Sequence, residues 1–220
     1  MVAMLHSAVI SIILGIVIIA AWYGAFLHFN RRRARRVLQW LQNAILAHGE
    51  INAVEWISSS HFKARLRLPG CGFRHPSLEA RLAPREMPVK WALWRWHGRR
   101  ETLVFEADLA CPPRHGLEIG RTRYTGLTRR WMRNTSSWPT YPMASLFIST
   151  QPEWEPEISS RMSTVVSARN LNYLAVSFRP HAPHFSVTFA LGETMDHPGG
   201  ELAIFEGLRE LAEGSPTSRM

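Results

Sequence analysis

The sequence predicts an α+β protein, an N-terminal transmembrane helix followed by a mainly antiparallel-sheet domain with a few flanking helices. Three observations carry that prediction. Residues 8–27 are uncharged and apolar throughout, and five arginines (Arg31, Arg32, Arg33, Arg35 and Arg36) follow directly. Beyond them, short stretches alternate apolar and polar residues with the period of two that marks a half-buried strand. The turns between those stretches are too short for crossover helices, so neighbouring strands must run antiparallel.

The apolar run opens the chain. At a rise of ~1.5 Å per helical residue, Ala8–Leu27 covers the hydrocarbon core of a bilayer, roughly 30 Å. A cleavable signal peptide has a basic leading region and a shorter apolar core; here no Lys or Arg precedes the run. A buried helix in a domain of this size is rarely apolar on every face for about five turns. Loops rich in Lys and Arg stay in the cytoplasm, and all five flanking arginines lie on the C-terminal side. The expected organisation is a short extracytoplasmic segment (1–7), a spanning helix (8–29) and a cytoplasmic remainder (31–220) on a single-pass protein of the cell membrane. Trp22 and Tyr23 suit the headgroup level at the inner end of the span. Ala20 with Gly24, and Ala21 with Ala25, have the small-x-x-x-small spacing of helix contacts in membranes, a spacing common in any span.

After the span, residues 34–48 read as an amphipathic helix with Val37, Leu38, Leu41, Ala44 and Ile45 on one face and Gly49 as its C-terminal cap. Trp40, off that stripe, could rest at the headgroup level, although a first domain helix continuing from the span is the preferred reading over a helix lying flat on the membrane. Strands are expected at Glu50–Ile57, at His61–Leu68 with Phe62, Ala64, Leu66 and Leu68 inward, and at Ser77–Leu82. Val89–Trp96 and Glu101–Leu109 are read as a hairpin closed by His97–Arg100. Residues 110–143, rich in Pro and Gly, are read as irregular and as a subdomain boundary. A strand at Ala144–Thr150, a helix at Pro156–Ala168, strands at Leu171–Arg179 and Phe185–Leu191, and a helix at Gly200–Ala212 complete the chain before a frayed tail (214–220). The order helix, strand, strand occurs at 34–68 and again at 156–191, without residue-level identity between the two.

Composition supports a packed core: of 220 residues 46% are hydrophobic, with nine Trp and ten Phe. The net charge of +9 is unevenly spread. Residues 31–133 carry 21 Lys and Arg against 8 Asp and Glu, and residues 134–220 carry 5 against 9. The chain therefore divides into a basic membrane-proximal part (30–133) and a mildly acidic distal part (134–213). Such asymmetry points to an anionic membrane surface, an acidic partner or nucleic acid.

Candidate contacts with anionic lipid or phosphate are Arg31, Arg32, Arg33, Arg35 and Arg36 at the span, Lys63, Arg65 and Arg67 on the outer face of a strand, and Arg121, Arg123, Arg129, Arg130 and Arg133 interleaved with Tyr124 and Trp131. Guanidinium forks bind phosphate bidentately, and an anionic leaflet attracts basic segments by ~1 kcal/mol per residue within a Debye length. Against this stands the plainer reading of solvated basic surface.

Catalysis has little footing. Asp108 and Asp196 are the only aspartates, and no Walker loop, Gly-x-Ser-x-Gly elbow or His-Glu-x-x-His occurs. His181, His184 and His197 lack a convincing metal spacing; Cys111 with His115 offers a thiol–imidazole pair, against which a buried cysteine is the ordinary reading, and the two cysteines are read as reduced thiols. Asn134-Thr135-Ser136 fits a glycosylation sequon on the wrong side of the membrane. No catalytic, cofactor or metal site is assigned. The expected role is a non-enzymatic, membrane-anchored binding or scaffold module whose basic half meets anionic lipid or a protein partner. The alternatives are a membrane-tethered nucleic-acid-binding protein through the same arginines, an enzyme with an unrecognised site, and, if Trp91, Trp94 and Trp96 line an inner pocket, an apolar-ligand binder.

Overall fold

In the computed structural model, residues 2–69, 72–113, 116–121, 140–143, 146–150, 173–196 and 200–213 are described. The expected helix at Pro156–Ala168, the arginines at 123, 129, 130 and 133, the sequon, His115, His197 and the tail lie outside them.

Helix α1 (Val2–Ile45) is continuous for 44 residues, about 66 Å at ~1.5 Å per residue. Its two halves have opposite surroundings. Between Val9 and Ile19 the large apolar side chains are all exposed, and the apolar window long enough to cross a membrane has none of its residues buried in the domain. From Asn30 onward the helix joins the core through Ala34, Val37, Trp40, Leu41, Ala44 and Ile45. That stripe is the amphipathic face read from the sequence. Trp40 is a correction: it is buried in the core rather than resting at headgroup level, because its position continues the stripe from Val37 to Leu41 and Ala44.

The backbone N–H groups of His48 and Gly49 both donate to the Ile45 carbonyl, ending α1. The chain then reverses into strands β1 (Glu50–Ser58), β2 (His61–Arg67) and β3 (Phe73–Arg81), followed by α2 (Pro88–Trp96) and β4 (Thr102–Leu109). Strands β5 (Leu117–Arg121), β6 (Thr140–Met143), β7 (Leu146–Thr150), β8 (Tyr173–Phe178) and β9 (Phe185–Ala190) precede the short α3 (Leu191–Met195) and the final α4 (Gly200–Glu213). All nine strands form one sheet in the order β1-β2-β3-β4-β9-β8-β5-β7-β6, and every pairing is antiparallel. The architecture is α+β, as the alternation implied.

One face of the sheet carries the core. Phe62, Leu78, Phe105, Val187, Val176 and Ile119 lie on it and pack under α1 and under Ile204, Phe205, Leu208 and Leu211 of α4. The other face is polar: Glu106, Ser186, Ser177, Glu118 and Ser149 stand in register from β4 to β7.

Three expectations are corrected. Val89–Trp96 is helix α2, not a strand, because Pro88 occupies its first turn, where a missing N–H costs nothing. Within 110–143, two strands replace part of the expected irregular stretch. Gly120 stands on the face of β5 away from Leu117 and Ile119, where a Cβ would lie 2.3 Å from the Phe147 ring; β6 accommodates Pro142 because it is an edge strand. Leu191 begins a helix rather than ending β9.

Candidate membrane-facing site

The end of the domain nearest the free half of α1 is held by a cluster of side chains from distant parts of the sequence. It starts at Trp22, whose indole N–H donates to the Arg85 carbonyl at 3.0 Å. Two turns on, the buried Asn30 amide donates to the Ala83 carbonyl at 3.1 Å and to the Glu86 carboxylate. Glu86 also accepts from the Ser59 hydroxyl at 2.6 Å. Arg33 then meets Glu101, with its Nη2 2.6 Å from Oε2. The other oxygen of Glu101 lies 2.9 Å from Arg85 Nη1 and accepts the Ala83 N–H at 3.3 Å. Arg85 closes the cluster from above, 5.3 Å over the Phe29 ring.

Residues 82–87 are thereby fixed between α1 and the β1–β2 turn. Because Gly49 reverses the chain, β1 runs back along α1, and Trp56, Ser58 and Ser59 line a shallow cleft with Arg31 and Arg35. Trp56 and Ile57 are about half exposed there. Beside the free half of α1, α2 leaves the cluster. None of its residues is buried, and its start faces Ile16, Ile19, Ala20 and Tyr23 across an apolar cleft of about 720 Å³.

The candidate cations divide into groups. Arg31, Arg32, Arg35 and Arg36 are exposed around α1, whereas Arg33 is turned inward to Glu101. The strand face is charge-compensated: Lys63 Nζ lies 4.0 Å from Glu106 and Arg67 Nη1 lies 3.5 Å from Glu50, while Arg65 is exposed opposite Ser77. On the same face Glu79 accepts from Arg81 Nε at 2.6 Å and contacts His61 Nε2 at 2.5 Å. Burial would push its pKa up, but Arg81 and then His61 outweigh that and hold the carboxyl below the usual glutamate range. Arg121 ends β5.

At the far end of the sheet, His75 Nδ1 is 3.4 Å and His184 Nδ1 4.0 Å from Asp108, and the Leu109 N–H donates to His184 Nδ1. Cys111, read from the sequence as a buried cysteine, is instead exposed nearby. Among the described residues no three His, Cys, Asp or Glu side chains converge as metal ligands. Trp91, Trp94 and Trp96 do not line an inner pocket; they sit on the unburied α2.

Sequence reasoning missed α2 as a helix and the cluster around Glu101. A signal for α2 was available: Val89, Ala92, Leu93 and Trp96 follow Pro88 at i, i+3, i+4 and i+7. The cluster had none, since its ion pairs join residues as far as 68 positions apart. No protein-family model matches the chain, and no curated protein matches it in sequence.

Proposed function

We propose that this is a single-pass membrane protein whose anchor and domain share one rigid helix, and that the domain is a cytoplasmic binding module held against anionic lipid. The observation that carries the reading is the division of α1, whose first half is apolar and unburied while its second half is the central core helix. An unburied apolar helix of this length is unstable in water and stable in lipid. The same helix leaves no flexible linker, so the domain has a fixed height relative to the bilayer.

The cluster narrows where the hydrocarbon ends. Trp22 suits the interface, while Asn30 and Glu86 form a buried polar group that belongs outside it. The inner boundary then falls between these residues, which leaves Arg31, Arg32 and Arg35 within reach of phosphates and keeps them cytoplasmic by the distribution of positive charge. Arg36 and the β1–β2 turn extend the same basic, aromatic surface.

The test uses residues 22–220, which keep every contact from Trp22 onward, and vesicles of phosphatidylcholine with or without phosphatidylglycerol. The reading predicts tighter cosedimentation with the anionic vesicles and a loss of that preference when Arg31, Arg32, Arg35 and Arg36 are replaced by Gln or when salt is raised. Equal binding to both vesicle types would reject the lipid contact.

A further inference from the structure

Helix α2 is built like a core helix and lies against no core. Val89, Ala92, Leu93 and Trp96 form the i, i+3, i+4, i+7 stripe that an amphipathic helix turns toward its partner. Here Val89 is 71%, Leu93 49% and Trp96 87% exposed. Trp91 and Trp94, on the other side, are half-buried, and the Trp91 ring lies 6.3 Å from that of Trp22 on α1. The first turn of α2 faces Ile16 to Tyr23 across the apolar cleft.

We propose that α2 is a second membrane element, a short helix lying in the cytoplasmic leaflet beside the span, with Val89, Ala92, Leu93 and Trp96 among acyl chains. This rests on α1 spanning the bilayer. The occupant follows from continuity: one wall of the cleft is the apolar surface of α1 itself, so the medium around Ile16 and Ile19 also surrounds the start of α2. Lipid tails fill an apolar cleft of this kind without requiring hydrogen bonds. Tryptophan favours the depth just inside the headgroups, and the exposed Lys90 and Arg95 are long enough to extend toward phosphates while their stems stay in the apolar layer. A span alone permits rotation about its axis; a span with an in-plane helix tied to it through Trp22 and Arg85 sets which face of the domain meets lipid.

The test is quenching in nanodiscs of phosphatidylcholine and phosphatidylglycerol, using the full chain with C71S and C111S and one NBD-labelled cysteine. I13C reports on the span, L93C on α2, and Q39C, on an exposed position of α1 within the domain, on water. The expected result is quenching of the Leu93 site by doxyl lipids and at least a three-fold weaker iodide quenching there than at Gln39; W96C should repeat it. If the Ile13 site is quenched by deep doxyl lipid while the Leu93 site is as open to iodide as Gln39, the span stands and α2 is not a membrane element. Shielding at Leu93 from both iodide and doxyl lipid would mean a protein covers the stripe, and would also overturn the proposal. Absence of lipid quenching at Ile13 would remove the span reading and this one together.

Discussion

Glu101 shows how much of the domain's attachment to α1 depends on one carboxylate. Its two oxygens serve Arg33 on α1, Arg85 before α2 and the Ala83 N–H, and its side chain is only 10% exposed. Removing one member of a largely buried pair leaves the remaining charges uncompensated, at a cost of roughly 3 kcal/mol. E101A is therefore expected to lower the thermal midpoint of the full chain in detergent by several degrees, and E101Q by less. Trp22 acts on the same segment through a neutral bond of about 1 kcal/mol, so W22F should raise amide exchange at residues 85–87 without unfolding the sheet. Glu79 supplies a pH dependence. Its folded pKa is depressed by Arg81 and His61, so its contribution is complete above the unfolded glutamate value near 4.5 and is lost as pH falls through the lower folded value. Thermal midpoints measured from pH 6 down to pH 3 should show a shallower acid decline in E79Q than in the parent chain; identical slopes would contradict the assignment.

At the scale of elements, α1 ends where Gly49 lets the chain pass the β2 backbone. A Cβ on residue 49 would lie 2.0 Å from the Arg67 carbonyl oxygen, so G49A must displace backbone and is expected to cost about 1–3 kcal/mol, read as a lower midpoint of chemical unfolding. The elements differ in how openly the sequence announced them. The stripe of Val37, Leu41, Ala44 and Ile45 was legible because it faces a core, and β2 because Phe62, Ala64 and Leu66 alternate without interruption. β5 was obscured by Gly120, whose missing side chain makes room for Phe147, and β6 by its length of four residues around Pro142. α2 was hidden by its own composition: tryptophans at 91, 94 and 96 match strand propensity, and a helical stripe that points outward has no interior to corroborate it. The cluster at Glu101 was unreadable because non-local ion pairs leave no periodic trace. If α2 sits in lipid, each of Val89, Leu93 and Trp96 contributes roughly 1.5–3 kcal/mol by leaving water. The triple change V89S/L93S/W96S is then expected to raise amide exchange across 89–96 in nanodiscs by at least ten-fold while leaving β2 to β4 protected.

The whole molecule couples a long helix to one continuous sheet. β5, from the basic part of the chain, lies between β8 and β7 from the acidic part, so the charge halves seen along the sequence interleave in space. The sheet face first read as basic balances its cations against Glu50, Glu79 and Glu106, which moves the expected lipid contact to the exposed arginines around α1 and the turn beside them. If α1 spans the bilayer as proposed, its unbroken run into the domain brings this surface to the membrane. The topology of that helix is tested by thiol labelling in intact cells expressing the chain. With Cys71 replaced by serine, the exposed Cys111 should react with a membrane-impermeant maleimide only after permeabilisation, whereas a cysteine introduced by S7C should react at once. Labelling of Cys111 in intact cells with S7C protected would contradict the account.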